Sequence, residues 1–107
     1  MYEINDLDKI TIKIYGKHSC GLCTSAEKKL KRVIETGNLD SDVDLMKVNI
    51  DADPVAAAEM DFIGSDVIPT IAIFPKHDDS FIRKLWVKDL PSSESIKNII
   101  KSFIGEG

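Results

Sequence analysis

The chain has 107 residues, of which 43% are hydrophobic and 30% are charged, and its formal net charge is −4 at pH 7. This length supports one domain with a single core, and the composition is that of an ordinary globular protein. The sequence contains no long apolar segment, and its basic cluster at residues 28–32 is most simply the solvated face of a helix. The sequence therefore disfavours both nucleic acid and membrane as partners.

The start of the chain, residues 1–8, is acidic and contains no apolar stretch of the kind that forms a signal peptide. We therefore expect a cytoplasmic protein. In a reducing compartment, two cysteines that are close in sequence are more often catalytic or metal-binding than structural.

Hydrophobic periodicity predicts the first three elements. Residues 9–16 alternate and are rich in β-branched side chains, which is typical of a strand. Residues 21–36 carry apolar side chains at spacings of three and four, which predicts an amphipathic helix. Gly37-Asn38 should end this helix, because glycine readily adopts the left-handed backbone found there. Residues 43–50 predict a second strand.

The second half of the chain predicts four more elements. Asp53 and Pro54 should start a short helix ending near Phe62, since aspartate caps helices and proline is tolerated in the first turn. Residues 69–74 and 81–87 predict two strands joined by a polar turn. A last helix, capped by Ser92 or Ser93, should pack an apolar stripe on the sheet: Ile96, Ile99, Ile100, Phe103 and Ile104.

This order of elements, β-α-β-α-β-β-α, predicts an α/β fold. Crossover connections make the first two strands parallel neighbours, and the hairpin adds an antiparallel edge. The prediction is a mixed four-stranded sheet with helices on both faces, formed by a single domain over residues 1–107 with its core at about 9–104.

Cys20 and Cys23 are the only cysteines, and they lie where the first strand leads into the first helix. A disulfide across a two-residue loop is easily reduced, so such a pair tends to cycle. At the helix N-terminus, backbone N–H groups can lower the pKa of Cys20 from roughly 8.5 to about 7 or below. We expect Cys20 to attack a substrate disulfide and the more buried Cys23 to resolve the mixed disulfide.

The neighbours of the cysteines suggest secondary roles. Lys17 and His18 can add positive potential at Cys20, although both are also compatible with solvated loop residues. Gly21 gives flexibility in the first turn, and Leu22 offers an apolar contact beside the reactive sulfur.

Three other interpretations of the cysteine pair stay open. The two residues can be buried structural cysteines, zinc ligands or ligands of an iron–sulfur cluster shared between two chains. A zinc site needs about four ligands, and His18 and His77 are the available histidines. His77 lies in the predicted hairpin turn, far along the chain from the cysteines, so we expect no metal.

From about residue 9 to 104 the chain resembles the thioredoxin-like superfamily. The strand, Cys-x-x-Cys and helix are followed by Ile68-Pro69-Thr70 at the start of a strand, and segments 47–54 and 69–74 are similar to thioredoxin segments in the same order. The chain is also similar to small glutaredoxins in its size and in carrying Tyr15 and Lys17 before the first cysteine. The Gly-Gly and acidic pair with which glutaredoxins hold glutathione is replaced by Lys88-Asp89, a weak substitute.

The resemblance implies a protein-disulfide reductase that takes part in electron transport and cell redox homeostasis. Its partners would be disulfide-containing proteins and a reductase or low-molecular-weight thiol as electron donor, with no cofactor beyond the redox-active disulfide. Pro69 would be cis beside the dithiol, and the Ile68 backbone would pair with an extended substrate segment. Trp86 falls near the glycine that lines the thioredoxin groove, where its indole would reshape substrate binding. Packing in the core or on a sheet face is the favoured alternative for this side chain.

One departure bears on the chemistry. Thioredoxins bury an acidic residue six positions before the first cysteine, where it helps to deprotonate the second, and this chain has Ile14 there. Lys47, the usual neighbour of that carboxylate and a candidate for tuning the thiol pKa, is present without it. Two alternatives therefore stay open: a docking module whose dithiol regulates association without turnover, and a glutathione-linked glutaredoxin.

Overall fold

The computed structural model describes residues 9–74, 82 and 84–104. The predicted polar turn at 75–80 and the start of the predicted strand at 81 lie outside the described residues. The elements are β1 (Ile10–Gly16), α1 (Gly21–Thr36), β2 (Val43–Asn49), α2 (Pro54–Ile63), β3 (Thr70–Phe74), β4 (Lys84–Val87) and α3 (Ser93–Ile104). Their order is the predicted β-α-β-α-β-β-α.

The four strands form one mixed sheet in the order β2-β1-β3-β4. β1 and β2 are parallel, because α1 carries the chain back across the sheet between them. β3 runs antiparallel to β1, and β4 antiparallel to β3. The predicted sheet, with a parallel first pair and an antiparallel edge, is confirmed.

The alternation along β1 divides the core between the two faces of the sheet. Ile10, Ile12 and Ile14 pack with buried residues of α1 and α3. Tyr15 points the other way and packs with Ala56 and other residues on the α2 side. The prediction of helices on both faces is therefore confirmed, with α1 and α3 on one face and α2 on the other.

The ends of α2 and the start of α3 follow the expected capping chemistry. Asp53 Oδ1 accepts the backbone N–H of Val55 at 3.0 Å, so a side chain satisfies an N–H group that has no partner within the helix. Gly64 ends α2 in the left-handed conformation, at φ 88°. Ser92 caps α3, since its Oγ accepts the N–H of Ser95 at 3.2 Å.

The end of α1 differs from the prediction in one residue. Gly37 has a φ of −91° and donates its N–H to the Val33 carbonyl at 3.0 Å. The left-handed residue is Asn38, at φ 55°. Asparagine tolerates this conformation better than most residues, so the chain turns one position later than expected.

A polar group lies between β1 and α2 on the face opposite the cysteines. Lys13 Nζ is 3.2 Å from both carboxylate oxygens of Glu59, and the Tyr15 hydroxyl donates to Glu59 Oε1 at 3.0 Å. Burial, and then the Glu59 carboxylate, raise the pKa of Tyr15 well above its ordinary value. Lys13 Nζ also lies 5.4 Å from the centroid of the Phe74 ring.

Candidate active site

Cys20 and Cys23 form a disulfide at the start of α1, with their Cα atoms 5.2 Å apart. Cys20 is the N-cap residue, and its Sγ accepts the backbone N–H of Cys23 at 3.0 Å. The Cys20 carbonyl accepts the N–H of Thr24 at 3.1 Å, which is the first bond of the helix. The first sulfur therefore lies where the unpaired N–H groups of the helix converge.

The two cysteine residues differ in exposure. Cys20 is partly exposed, whereas Cys23 is 0% exposed. A substrate in solution can reach the first residue but not the second. This is the asymmetry expected of a nucleophile and a resolving thiol.

Gly16, at the end of β1, makes room for Cys23. A Cβ atom at this position would lie 2.7 Å from Cys23 Sγ and 3.1 Å from Cys23 Cβ, so any side chain would displace the cysteine. Sequence reasoning assigned no role to this glycine, because a glycine at the end of a strand is equally well explained by a turn.

The predicted tuning residues converge on a cavity beside Cys20. Lys17 and His18 are exposed and line it from the segment between β1 and α1, while Lys47 lines it from β2. The cavity has a volume of about 200 Å³. Its full lining is Gly16, Lys17, His18, Ser19, Cys20, Thr24, Lys47, Val48 and Asn49.

Lys47 pairs with a carboxylate that sequence reasoning missed. Its Nζ lies 3.5 Å from Glu27 Oε1, and Lys31 Nζ lies 3.5 Å from Glu27 Oε2. Lys47 is the partner of Ile14 in the register of β1 and β2, and Ile14 is 0% exposed. The carboxylate near Lys47 therefore comes from α1. In the sequence, Glu27 could have been noticed because it lies four residues after Cys23 on the same predicted helix.

The Ile68–Pro69 peptide bond is cis, the isomer that the thioredoxin resemblance implies. Thr70 pairs with Tyr15 in the register of β3 and β1, so continuing that register brings Pro69 opposite Gly16 and thus beside Cys23. Pro69 is fully buried and Ile68 is half-buried. The fold therefore brings the dithiol and the predicted substrate-binding segment to the same end of the sheet.

Two hydroxyl groups hold the segment before Pro69. Thr70, which is 0% exposed, donates its Oγ1 hydrogen to the Val67 carbonyl at 2.6 Å. Ser65 Oγ lies 2.7 Å from Thr70 Oγ1, so the two hydroxyl groups share a hydrogen bond. Sequence reasoning did not identify this bracing role of Ser65 and Thr70.

Of the two roles that the sequence left open for Trp86, the structure shows packing in the core. It is 8% exposed, pairs with Ile71 and packs in the core shared with α1 and α3. The expectation that its indole lines a substrate groove is therefore not supported. The residue next to Pro69 is Lys88, whose N–H donates to the Pro69 carbonyl at 2.7 Å and whose φ is 71°, a conformation that favours glycine.

The remaining predicted contact residues are accessible. Leu22 is 55% exposed in the first turn of α1. Val67, which was not among the predicted residues, is 40% exposed just before the cis bond. Gly21 is exposed, and a Cβ atom there would meet nothing within 4 Å. Apolar side chains are therefore exposed in the first turn of α1 and in the segment that leads to Pro69.

Within residues 9–74, 82 and 84–104, no three His, Cys, Asp or Glu side chains are grouped so that they could hold a metal ion. His77, a ligand in the zinc interpretation, lies outside the described residues. No helix in the described part of the chain is long and apolar enough to cross a membrane.

A mixed four-stranded sheet with a Cys-x-x-Cys pair at the start of its first helix defines a thioredoxin-like protein, and this pair indicates a redox function. The chain belongs to the glutaredoxin-like domain family (DUF836), whose family model matches residues 11–101. No curated protein matches the chain in sequence.

Solved structures of thioredoxins share the fold. Chloroplastic thioredoxin z is 26% identical with a TM-score of 0.70, over 94% of this chain and 81% of that one. A mutant thioredoxin from Halobacterium salinarum is 20% identical with a TM-score of 0.65, over 94% and 80%. Thioredoxin O2 from Arabidopsis thaliana, in its oxidised state, is 15% identical with a TM-score of 0.64, over 94% and 79%. The thioredoxin-like fold is confirmed.

Proposed function

We propose that this chain is a thiol–disulfide oxidoreductase that reduces protein disulfides through Cys20 and Cys23. The observation that carries the proposal is the unequal pair itself: a disulfide between a reachable N-cap sulfur and a fully buried one. Membership in a glutaredoxin-like family supports it. No bound cofactor is needed, since the two sulfurs carry the electrons.

In the first step, Cys20 attacks the substrate. Its thiolate is stabilised by the N–H of Cys23 and by the N-terminus of α1. The thiolate attacks one sulfur of a substrate disulfide, a Cys20–substrate disulfide forms, and the substrate S–S bond breaks. The released substrate sulfur leaves as a thiolate and takes a proton from water.

In the second step, Cys23 resolves the mixed disulfide. Its thiol loses a proton and its sulfur attacks Cys20 Sγ, which forms the Cys20–Cys23 disulfide and releases the second substrate sulfur as a thiolate. The substrate gains two electrons and the dithiol loses two. A low-molecular-weight thiol or a reductase then returns the protein to the dithiol state, in the direction expected of a reducing cytoplasm.

We place the substrate along Ile68 and Pro69. Exposed apolar side chains lie in the first turn of α1, at Leu22, and in the segment that leads to Pro69, at Val67, and they suit a peptide that presents its disulfide between apolar residues. The hydrogen bonds of Ser65 and Thr70 keep this segment in a fixed shape before the substrate arrives. We do not assign Trp86 to substrate binding, because it is buried in the core.

An insulin reduction assay with dithiothreitol tests the proposal. The wild-type protein should accelerate the precipitation of reduced insulin chains, and Cys20→Ser should abolish the acceleration. Ser25→Ala, a change on the exposed surface of the same helix, is the matched control and should keep full activity. If the wild-type protein is inactive although its cysteines oxidise and reduce reversibly, the dithiol serves a docking module instead.

A second candidate is a reductase that uses glutathione as its electron donor. Two observations favour it: the matching family model is glutaredoxin-like, and Lys17, three residues before Cys20, lines the cavity beside that sulfur. A cationic side chain there suits a carboxylate of the tripeptide. Reduction of hydroxyethyl disulfide, coupled to glutathione reductase and NADPH, distinguishes the two candidates. Turnover in this assay with no effect on insulin precipitation would favour glutathione.

A further inference from the structure

The outer face of α2 carries exposed apolar side chains. Phe62 is 90% exposed and Val55 is 65% exposed, the two largest values among the large hydrophobic residues of the described chain. Together with Ala58, which is also exposed, they recur at spacings of three and four and form one stripe along the helix, the α2 stripe. The core contacts of α2 are made instead by Ala56 and Met60. Single exposed apolar residues are ordinary, but a stripe containing so exposed a phenylalanine indicates a binding surface.

Acidic side chains surround the α2 stripe. At 3.6 residues per turn, Glu59 lies beside the stripe on one side and Asp61 on the other. Asp66, just beyond the end of the helix, is exposed as well. Residues 48–74 contain five acidic residues and no lysine or arginine, and Lys13 of β1, which pairs with Glu59 at 3.2 Å, offsets one of these charges. The stripe therefore suits a partner that carries basic side chains beside its apolar ones.

α2 lies at the end of the sheet that carries the dithiol. It joins the end of β2 to the start of β3, and both points lie beside the end of β1, where Asn49 pairs with Gly16 and Thr70 with Tyr15. Gly16 lies directly beside the buried sulfur of the dithiol. Val67, in the segment that joins α2 to the cis peptide bond, is also exposed. A partner held on the α2 stripe is therefore held at the end of the molecule where the dithiol reacts.

The charge around the α2 stripe argues against other occupants. A second copy docked through the same face would bring two acidic surfaces together, and like charges across an interface cost free energy. An anionic bilayer would be repelled for the same reason. The basic residues 28–32 of a second copy have the complementary charge, but the apolar residue among them, Leu30, is buried. A different protein with a basic, apolar helix fits better.

We propose that the α2 stripe docks a cationic amphipathic helix of the disulfide-containing protein that this chain reduces. The inference rests on the proposed oxidoreductase function and names the class of its partner. Apolar side chains on one face of the partner helix pack on Val55 and Phe62, and the lysine or arginine side chains beside them pair with Asp61 and Asp66. Docking is non-covalent, and it raises the local concentration of the partner's disulfide at Cys20.

A peptide without cysteine tests docking alone. The probe is a fluorescein-labelled peptide of about 18 leucine and lysine residues, long enough to form a helix, with one leucine stripe between two rows of lysine. Fluorescence anisotropy measures its affinity for the oxidised protein. Phe62→Ala should weaken binding by about tenfold, because it removes a central apolar contact. Asp61→Lys should weaken binding by about fivefold and reduce the loss of affinity with added salt. Both side chains are exposed, so both variants should keep the wild-type melting temperature.

Met46→Ala and Asp40→Lys are the matched controls. Met46 is an exposed apolar residue of β2, and Asp40 is an exposed acidic residue in the loop after α1. They make the same kinds of change outside α2, so both variants should bind the peptide as the wild-type protein does. A second peptide, with glutamate in place of every lysine, should bind the wild-type protein at least about tenfold more weakly.

A disulfide version of the probe connects docking with reduction. Each peptide carries one cysteine joined by a disulfide to thionitrobenzoate. The reduced protein converts this disulfide to two thiols, its own dithiol becomes a disulfide, and thionitrobenzoate absorbance follows the rate. Lys17 and His18, beside Cys20, favour the glutamate peptide by charge. Reduction of the lysine peptide should nevertheless be about tenfold faster at low salt, and Phe62→Ala should lose most of this advantage.

The outcomes separate docking from reduction. Failure of the lysine peptide to bind, or equal binding by wild-type and Phe62→Ala proteins, would overturn the inference. Equal reduction of the two peptides would also overturn it and leave the proposed function in place. Binding as expected without release of thionitrobenzoate would overturn the proposed function instead. Dimers in sedimentation velocity, or binding to phosphatidylcholine vesicles, that Phe62→Ala abolishes would overturn the inference by assigning the stripe to a second copy or to lipid.

Discussion

The Gly16→Ala substitution examines how tightly the resolving cysteine is packed against β1. The added Cβ would lie 2.7 Å from Cys23 Sγ, whereas ordinary contact begins at 3.4 Å. The two atoms must therefore separate by about 0.7 Å. Cys23 cannot move freely, because it is 0% exposed and belongs to α1.

Forcing an extra carbon into a packed core costs about 1–3 kcal/mol. For a protein of this size, each kcal/mol lowers Tm by about 4 °C, so Gly16→Ala should melt about 4–12 °C below the wild-type protein. Because the side chain of Cys23 must shift, its attack on Cys20 should also slow. Reaction of the reduced protein with dithiobis(nitrobenzoate) measures this step as the second of two phases of thionitrobenzoate release.

Gly21→Ala is the matched control, since it changes the glycine on the other side of Cys20. A Cβ there meets nothing within 4 Å, and alanine favours a helix over glycine by about 0.5–1 kcal/mol. This variant should melt at or slightly above the wild-type temperature. Thermal unfolding of oxidised and reduced samples measures both effects. Equal melting temperatures for the two variants would refute the packing argument.

Three further substitutions probe the rest of the structure. Lys88→Gly should stabilise the protein by about 1 kcal/mol in urea unfolding, because glycine adopts the left-handed backbone without the penalty of a side chain, and Lys88→Ala should show no such gain. Since the pKa of Tyr15 is raised on folding, the wild-type protein should lose stability as the pH rises above about 10, by up to about 1.4 kcal/mol per pH unit from this residue. Tyr15→Phe should flatten that decline, and an unchanged slope would contradict the role of the Tyr15–Glu59 contact. Asp53→Ala should cost about 1 kcal/mol in the same urea assay by removing the cap of α2, and full retention of stability would show that the cap is dispensable.

The sequence alone predicted the features that are determined by residues close together in the chain. The alternation of β1, the helical spacing in α1 and the Asp53 cap are all local patterns. Together with the order of the elements, they were sufficient to predict the sheet and the helices on both of its faces. The Cys20–Cys23 pair at the strand–helix junction was likewise visible without coordinates. Local patterns also located Pro69 directly before β3.

What the sequence did not show depends on distances between elements. The contact of Gly16 with Cys23 and the pairing of Glu27 with Lys47 arise only when α1 is packed against β1 and β2. For Trp86 the sequence left both core packing and substrate contact open, because the length of the hairpin before β4 could not be fixed from sequence. The residue that meets Pro69 is Lys88, two positions further along the chain.

The assignment of the two sulfur roles is tested most directly by trapping the mixed disulfide. Reduced Cys23→Ser and Cys20→Ser proteins are each mixed with insulin, quenched with acid and mapped by mass spectrometry without reduction. We expect an insulin chain linked to Cys20 in the Cys23→Ser protein and no adduct in the Cys20→Ser protein, where the remaining sulfur is buried. An adduct on Cys23, or none in either variant, would contradict the account.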